Sequence, residues 1–156
     1  MMKFKIYIDT SVIGGCFDDE FGEYSNLLFS DFILGKKIAV VSNITLKELK
    51  QAPEYVRNKL EEIPKENIEY VALSEEAEEL ARKYIEGGVI SSSFLLDAEH
   101  IAIATVEKID ILASWNFKHI VNINKIRGFN SVNLREGYQL LEIRTPMEVI
   151  DEDQEI

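Results

Sequence analysis

The stretch KFKIYIDTSV, residues 3–12, runs as an apolar strand and stops on a carboxylate, Asp9, with two hydroxyls, Thr10 and Ser11, behind it. Three further segments offer hard oxygen ligands: NITLKEL with Glu48, FLLDAEHIAIA with Asp97, and ILASWNF with Asn116 preceded by Ser114. Each has an ordinary structural use. Asp9 and Asn116 suit turns or a helix N-cap, Thr45 and Glu48 have the spacing of a capping box, and Asp97 suits a first helical turn. Asp97 is the hardest to leave at that. It lies among Leu95, Leu96, Ala98, Ile101, Ala102, Ile103 and Ala104. A buried, isolated carboxylate costs several kcal/mol or takes up a proton. No arginine lies nearby in the chain to pair with it, and a divalent cation is one solution.

Asp9, Glu48 and Asp97 belong to three separate segments, and gathering them is costly. Two unit charges about 4 Å apart repel by about 4 kcal/mol at an effective dielectric of 20. Such a cluster needs a cation or a proton among its members. Oxygen ligands without a cysteine cluster or a histidine pair favour Mg2+ or Mn2+ over zinc. A site of that kind activates water and neutralises a phosphoryl oxygen, which is what phosphodiester hydrolysis requires.

The elements that must position these residues alternate between strand and helix. Period-two apolarity predicts a strand over residues 3–9 with Phe4, Ile6 and Ile8 facing a core. Short strands are expected at KIAVVSN, NIEYVAL, IDILAS and YQLLEIR. Helices are expected at EYSNLLFSDFIL, stopped by Gly35; at TLKELKQA, broken by Pro53; at PEYVRNKLEEI; at SEEAEELARKYIE, with Ser74 as N-cap; and at SSSFLLDAEHIAIATVEK. Gly14, Gly15 and FDDEFGE read as a loop, and WNFKHIVNINKIRGFNSVNLREG as loop and helix pieces. The alternation predicts an α/β fold with a central, mainly parallel sheet covered on both faces. Ligands of such sheets collect at the carboxyl ends of the strands. One domain over residues 1–148 and a disordered acidic tail over 149–156 are expected.

At 156 residues and 46% hydrophobic content the chain suits one domain with a substantial core. A single cysteine, Cys16, excludes an internal disulfide framework. No window approaches the roughly 18 apolar residues of a membrane span. Lys3 and Lys5 in a strand-like start argue against a signal peptide, so a cytoplasmic location is expected. The net charge of −11 argues against a generic nucleic-acid coat. The charge is unevenly spread. Residues 61–86 hold nine acids against Lys65, Arg82 and Lys83, a net of −6, whereas residues 113–135 hold Lys118, Lys125, Arg127 and Arg135 and no acid. Lys118, Lys125 and Arg127, with His119 beside them, form a lane able to guide phosphates, and Trp115 and Phe117 are candidates for stacking on a base.

The order YIDTSV, SNITLKEL, DAEHIAIA, LASWNF resembles the PIN-domain nucleases, including the VapC-type ribonuclease toxins of toxin–antitoxin pairs. The resemblance spans Lys3 to Glu148 and rests on four individually weak motifs in the right order. It implies an α/β/α sandwich, often dimeric, that cleaves RNA with a divalent metal and pairs with an antitoxin protein. By that resemblance Asp9, Glu48 and Asp97 fall on the acidic positions that hold Mg2+ or Mn2+. Thr10, Ser11 and Ser114 fall beside them as supporting hydroxyls. Asn116 stands where the common pattern has a fourth acid, which predicts weakened binding of any second ion and activity that is reduced, narrowed to some substrates or absent. Glu99 is a possible substitute acid, but two positions on from Asp97 it points to another helix face. His100 reads as a packing or hydrogen-bonding group.

The leading expectation is a metal-dependent endoribonuclease. The alternative is a catalytically weakened module that binds RNA or protein. Haloacid-dehalogenase phosphatases need a second Asp where Ser11 stands, and a dinucleotide-binding domain needs a glycine fingerprint that DTSVIGGCF lacks.

Overall fold

Ile6, Tyr7 and Ile8 are all fully buried, although strand side chains alternate in direction. Both faces of β1 (Lys5–Ile8) are therefore covered, which makes it a central strand. The computed structural model describes residues 2–150 and places β1 in a five-stranded parallel sheet of order β3-β2-β1-β4-β5. The other strands are β2 (Ile38–Ser42), β3 (Ile68–Val71), β4 (Ile111–Ala113) and β5 (Glu142–Arg144). Phe4 does not face the core as the alternation suggests; it precedes β1 and is largely exposed.

Helices cover both faces, giving an α/β/α sandwich with two cores. One joins Tyr7, Val40, Leu112 and Ile143 to α5 (Glu75–Glu86), α6 (Leu95–Val106) and α7 (Ile123–Arg135). The other joins Ile6, Ile8, Ala39, Val41 and Ala113 to α1 (Thr10–Gly15), α2 (Gly22–Ile33) and α8 (Pro146–Val149). α6 is buried nearly all round, from Ala98 to Thr105, and so carries little amphipathic signal. Two short helices, α3 (Asn43–Leu49) and α4 (Glu54–Arg57), complete the set.

Three local expectations change. The stretch after Asp9 is a helix, α1, because Asp9 itself caps it by accepting from Val12 N–H. Gly15 ends that helix where a Cβ would come within 2.7 Å of Ser25 Oγ and 2.9 Å of Trp115 Nε1. The segment read as loop and helix pieces holds the 13-residue α7, capped by Asn122. Val149 and Ile150 are buried in the second core rather than part of a tail, and residues 151–156 of the expected tail lie outside the described residues. No helix among the described residues is long and apolar enough to cross a membrane.

Candidate functional site

The sheet order reverses at β1, with β2 on one side and β4 on the other, so a crevice opens beyond its carboxyl end. Asp9 sits there, almost fully buried. Its Oδ1 accepts from Ser11 Oγ at 2.6 Å and Val12 N–H at 3.3 Å, and its Oδ2 accepts from Ser114 Oγ at 2.6 Å. Each hydroxyl has one proton and gives it to Asp9, so the 3.4 Å approach of Ser11 Oγ to Ser114 Oγ is a contact and not a hydrogen bond. The same two oxygens accept from the backbone of the β4 loop, Ser11 from Trp115 N–H and Ser114 from Asn116 N–H. Backbone dipoles from the end of β4 are thus relayed onto one carboxylate.

Glu48 lies in the last turn of α3 and faces α1 and α6. Its Oε1 accepts from Thr10 Oγ1 at 3.0 Å and from His100 Nε2 at 2.8 Å. Burial pushes its carboxyl up, but the bond and charge of His100 and the bond from Thr10 outweigh that and hold it below the usual carboxylate range. The capping-box expectation fails. Ser42 is the N-cap of α3, accepting from Thr45 N–H, and Thr45 donates to Ile8 C=O. Glu48 is therefore left free for the crevice.

Asp97 occupies the first turn of α6 and is partly buried. Its carboxyl is held above the usual range, first by burial, with the charges of Asp9 and Glu48 adding and those of His100 and His119 opposing. No hydrogen bond or ion pair reaches it from the described residues. Glu99 turns elsewhere, its electrostatic neighbours being Glu78, His100 and Lys47.

Asn116 forms a turn. Its Oδ1 accepts from His119 N–H at 3.0 Å. Trp115 is unavailable for base stacking, because it is 9% exposed, lies against Phe21 with ring centroids 4.4 Å apart and donates Nε1–H to Ser25. Phe117, 49% exposed, is the open aromatic of this loop. Lys118 and Arg127 are exposed, whereas Lys125 donates its ammonium to Val89 C=O. His119 stacks on Phe94, ring centroids 3.7 Å apart. Tyr7 and Ser42, which no motif singles out, are bonded to each other, and Tyr7 is bonded to His100. The available signal was a tyrosine in a central strand, whose buried hydroxyl must find a partner.

Among the described residues, no three His, Cys, Asp or Glu side chains stand grouped tightly enough to hold a metal ion as they are. In kind, however, the donors fit a hard divalent cation. Each carboxylate oxygen accepts up to two bonds. Asp9 Oδ2 has one position open, Glu48 Oε2 has both and Asp97 has all four. The charges of Asp9 and Glu48 both act on Asp97, all three acids keep acceptor capacity, and no lysine or arginine among the described residues is bonded to them.

Neither a protein-family profile nor a curated relative matches the sequence. Solved structures do match. VapC20 of Mycobacterium tuberculosis, described as a sarcin-ricin-loop-cleaving toxin, is 14% identical over 73% of this chain and 92% of its own, with a TM-score of 0.54. VapBC2 of Rickettsia felis, solved bound to a promoter DNA fragment, is 18% identical over 74% of this chain and 90% of the matched one, also at 0.54. FitAcB of Neisseria gonorrhoeae is 16% identical over 92% of this chain and 99% of the matched one, at 0.57. The fold shared with them is the PIN-domain fold.

Proposed function

We propose that this PIN-fold chain is a divalent-metal-dependent endoribonuclease, acting in the cytoplasm as the toxin of a toxin–antitoxin pair. The observation that carries the proposal is the convergence of Asp9, Glu48 and Asp97 on one sheet edge with unused acceptor capacity. The structural neighbours, which include a VapC toxin and a VapBC complex, support the same reading. An antitoxin partner and a homodimeric state belong to the proposal.

Asp9, Glu48 and Asp97 would hold Mg2+ or Mn2+. When bound, such an ion supplies charge neutralisation at a phosphoryl oxygen and a water of lowered pKa. Ser11 and Ser114 lock both oxygens of Asp9 in place, and Thr10 and His100 lock one oxygen of Glu48, so little side-chain freedom is lost on binding. Asp97 receives no hydrogen bond from the described residues, so its carboxylate keeps all of its acceptor positions. Lys118 and Arg127, exposed beyond the β4 loop and on α7, would steer phosphates toward the crevice. Asn116 and Phe117 would line its rim.

The test is cleavage of single-stranded RNA with and without Mn2+. Asp9→Asn should lose more than about 100-fold of the rate with its circular dichroism unchanged. Cleavage that continues unaltered in that variant removes the assignment. One observation favours a second reading, a weakened RNA- or protein-binding module: Asn116 replaces an acid with an amide whose oxygen is engaged by His119 N–H. A large gain in cleavage by Asn116→Asp supports that reading, and a loss shows that the asparagine belongs to a working site.

A further inference from the structure

His100 is 2% exposed and both of its ring nitrogens are engaged. Nδ1 lies 2.6 Å from Tyr7 OH, which lies 2.6 Å from Ser42 Oγ, which accepts from Thr45 N–H at 3.3 Å. Nε2 lies 2.8 Å from Glu48 Oε1. Tyr7 and Ser42 are fully buried, so every proton on this path must have an acceptor within the protein.

The proton positions follow from that requirement. An ionised Glu48 accepts only, so Nε2 carries a proton and donates. Burial holds the Tyr7 phenol well above its ordinary pKa, so the phenol keeps its single proton. Ser42 Oγ takes the Thr45 N–H and gives its own proton to Tyr7; Thr45 Oγ1, the other hydroxyl beside the phenol, gives its proton to Ile8 C=O; and Tyr7 gives its proton to Nδ1. Each donor then meets one acceptor. Reversing the path would leave the Ser42 proton facing no further acceptor among the described residues. The path begins on the backbone at the start of α3 and ends on Glu48 of the same helix.

The far end bears on the ligand set. Oε1 accepts from His100 and from Thr10, which fills both of its acceptor positions, and Oε2 has neither filled. Resting on the metal-site reading above, we infer that His100 is a positioning residue that confines Glu48 to one ligating oxygen and thereby selects small octahedral cations over Ca2+. Ca2+ takes six to eight oxygens and commonly a bidentate carboxylate, whereas Mg2+ requires near-octahedral geometry with one or two carboxylates. Tyr7 and Ser42 serve this by fixing which nitrogen of the imidazole bears the proton.

Calorimetric titration of the full chain with Mn2+ alone and Ca2+ alone, for wild type, Asp9→Asn, His100→Ala and His100→Gln, tests the inference. Removing the ring should raise the Mn2+ Kd at least about 10-fold, the usual cost of losing an outer hydrogen-bonding partner. It should also narrow the preference for Mn2+ over Ca2+. Gln, whose amide N–H reaches where Nε2–H did, should stay within about 3-fold of wild type. A His100→Ala protein that loses thermal stability but keeps both affinities overturns the inference and leaves the metal site standing. A wild type that binds neither ion, or binds as Asp9→Asn does, overturns the metal site and the selectivity with it. Independently of any ion, long-range 15N–1H spectra of the metal-free protein should show His100 protonated at Nε2, and protonation at Nδ1 alone overturns the inference.

Discussion

Buried acids lie at both edges of the sheet, and the chain treats them differently. At the end of α2, before β2 begins, Asp31 is fully buried and lies 2.7 Å from the ammonium of Lys37, itself 4% exposed. The backbone C=O of Asp31 also accepts from Lys36 N–H, which ties the pair into the turn that leads to the sheet. At the opposite edge two hydroxyls hold Asp9, a hydroxyl and His100 hold Glu48, and no lysine or arginine among the described residues bonds to these or to Asp97. Where an acid only holds the fold together, a cation six residues away serves it. Where three acids lie near one another without one, the fold bears an electrostatic cost, which under the proposed function a bound cation would relieve.

Breaking the first arrangement should have the largest effect. Lys37→Ala removes the ammonium 2.7 Å from the buried Asp31 carboxylate, and should lower stability by more than about 1 kcal/mol in denaturant titration. Mn2+ should act on the second edge alone. At 100 times its Kd it adds about 2.7 kcal/mol to the wild type, seen as a rise in Tm, and adds nothing to Asp9→Asn. Asp97→Asn should stabilise the metal-free protein at neutral pH by about 1 kcal/mol, because it removes a charge that burial and the like charges of Asp9 and Glu48 disfavour. A loss of stability in that variant would mean that Asp97 has a partner in the folded protein.

The smallest effect is a difference in sign with pH. Asp97 is raised in the folded state, so its ionisation costs stability above the folded pKa. That cost fades as pH falls, and it is gone below the unfolded value of about 3.9. Glu48 is lowered, so it contributes stability above its unfolded value of about 4.3, and loses that contribution as pH falls through the folded pKa. On acidification of the metal-free protein, the gain from Asp97→Asn and the loss from Glu48→Gln should both shrink. Effects of the same sign in the two variants at neutral pH would show that the two carboxylates share one environment.

Strand and helix order were legible because they depend on neighbours in the chain. Apolar runs such as IAVVS, Ser74 before a run of glutamates, and Gly35 after α2, with its φ of 76°, are local signals. The α/β class followed from their alternation. Less was legible where two local uses compete for one residue. Thr45 and Glu48 have capping-box spacing, but Ser42 lies three residues ahead of Thr45 and took the cap. Trp115 looked open to a base because it follows a strand, but Phe21 and Ser25, about ninety positions away, enclose it.

Residue type and position relative to a strand end are written along the chain, and they sufficed to nominate the carboxylates and the cation they suit. Which hydroxyl serves which oxygen was decided only in three dimensions. Ser114 reaches Asp9 across 105 positions, and His100 reaches Glu48 across 52. A hydrogen bond of 2.6–2.8 Å depends on the placement of both backbones to within a few tenths of an ångström. That placement comes from sheet register and helix packing, which no short segment specifies by itself.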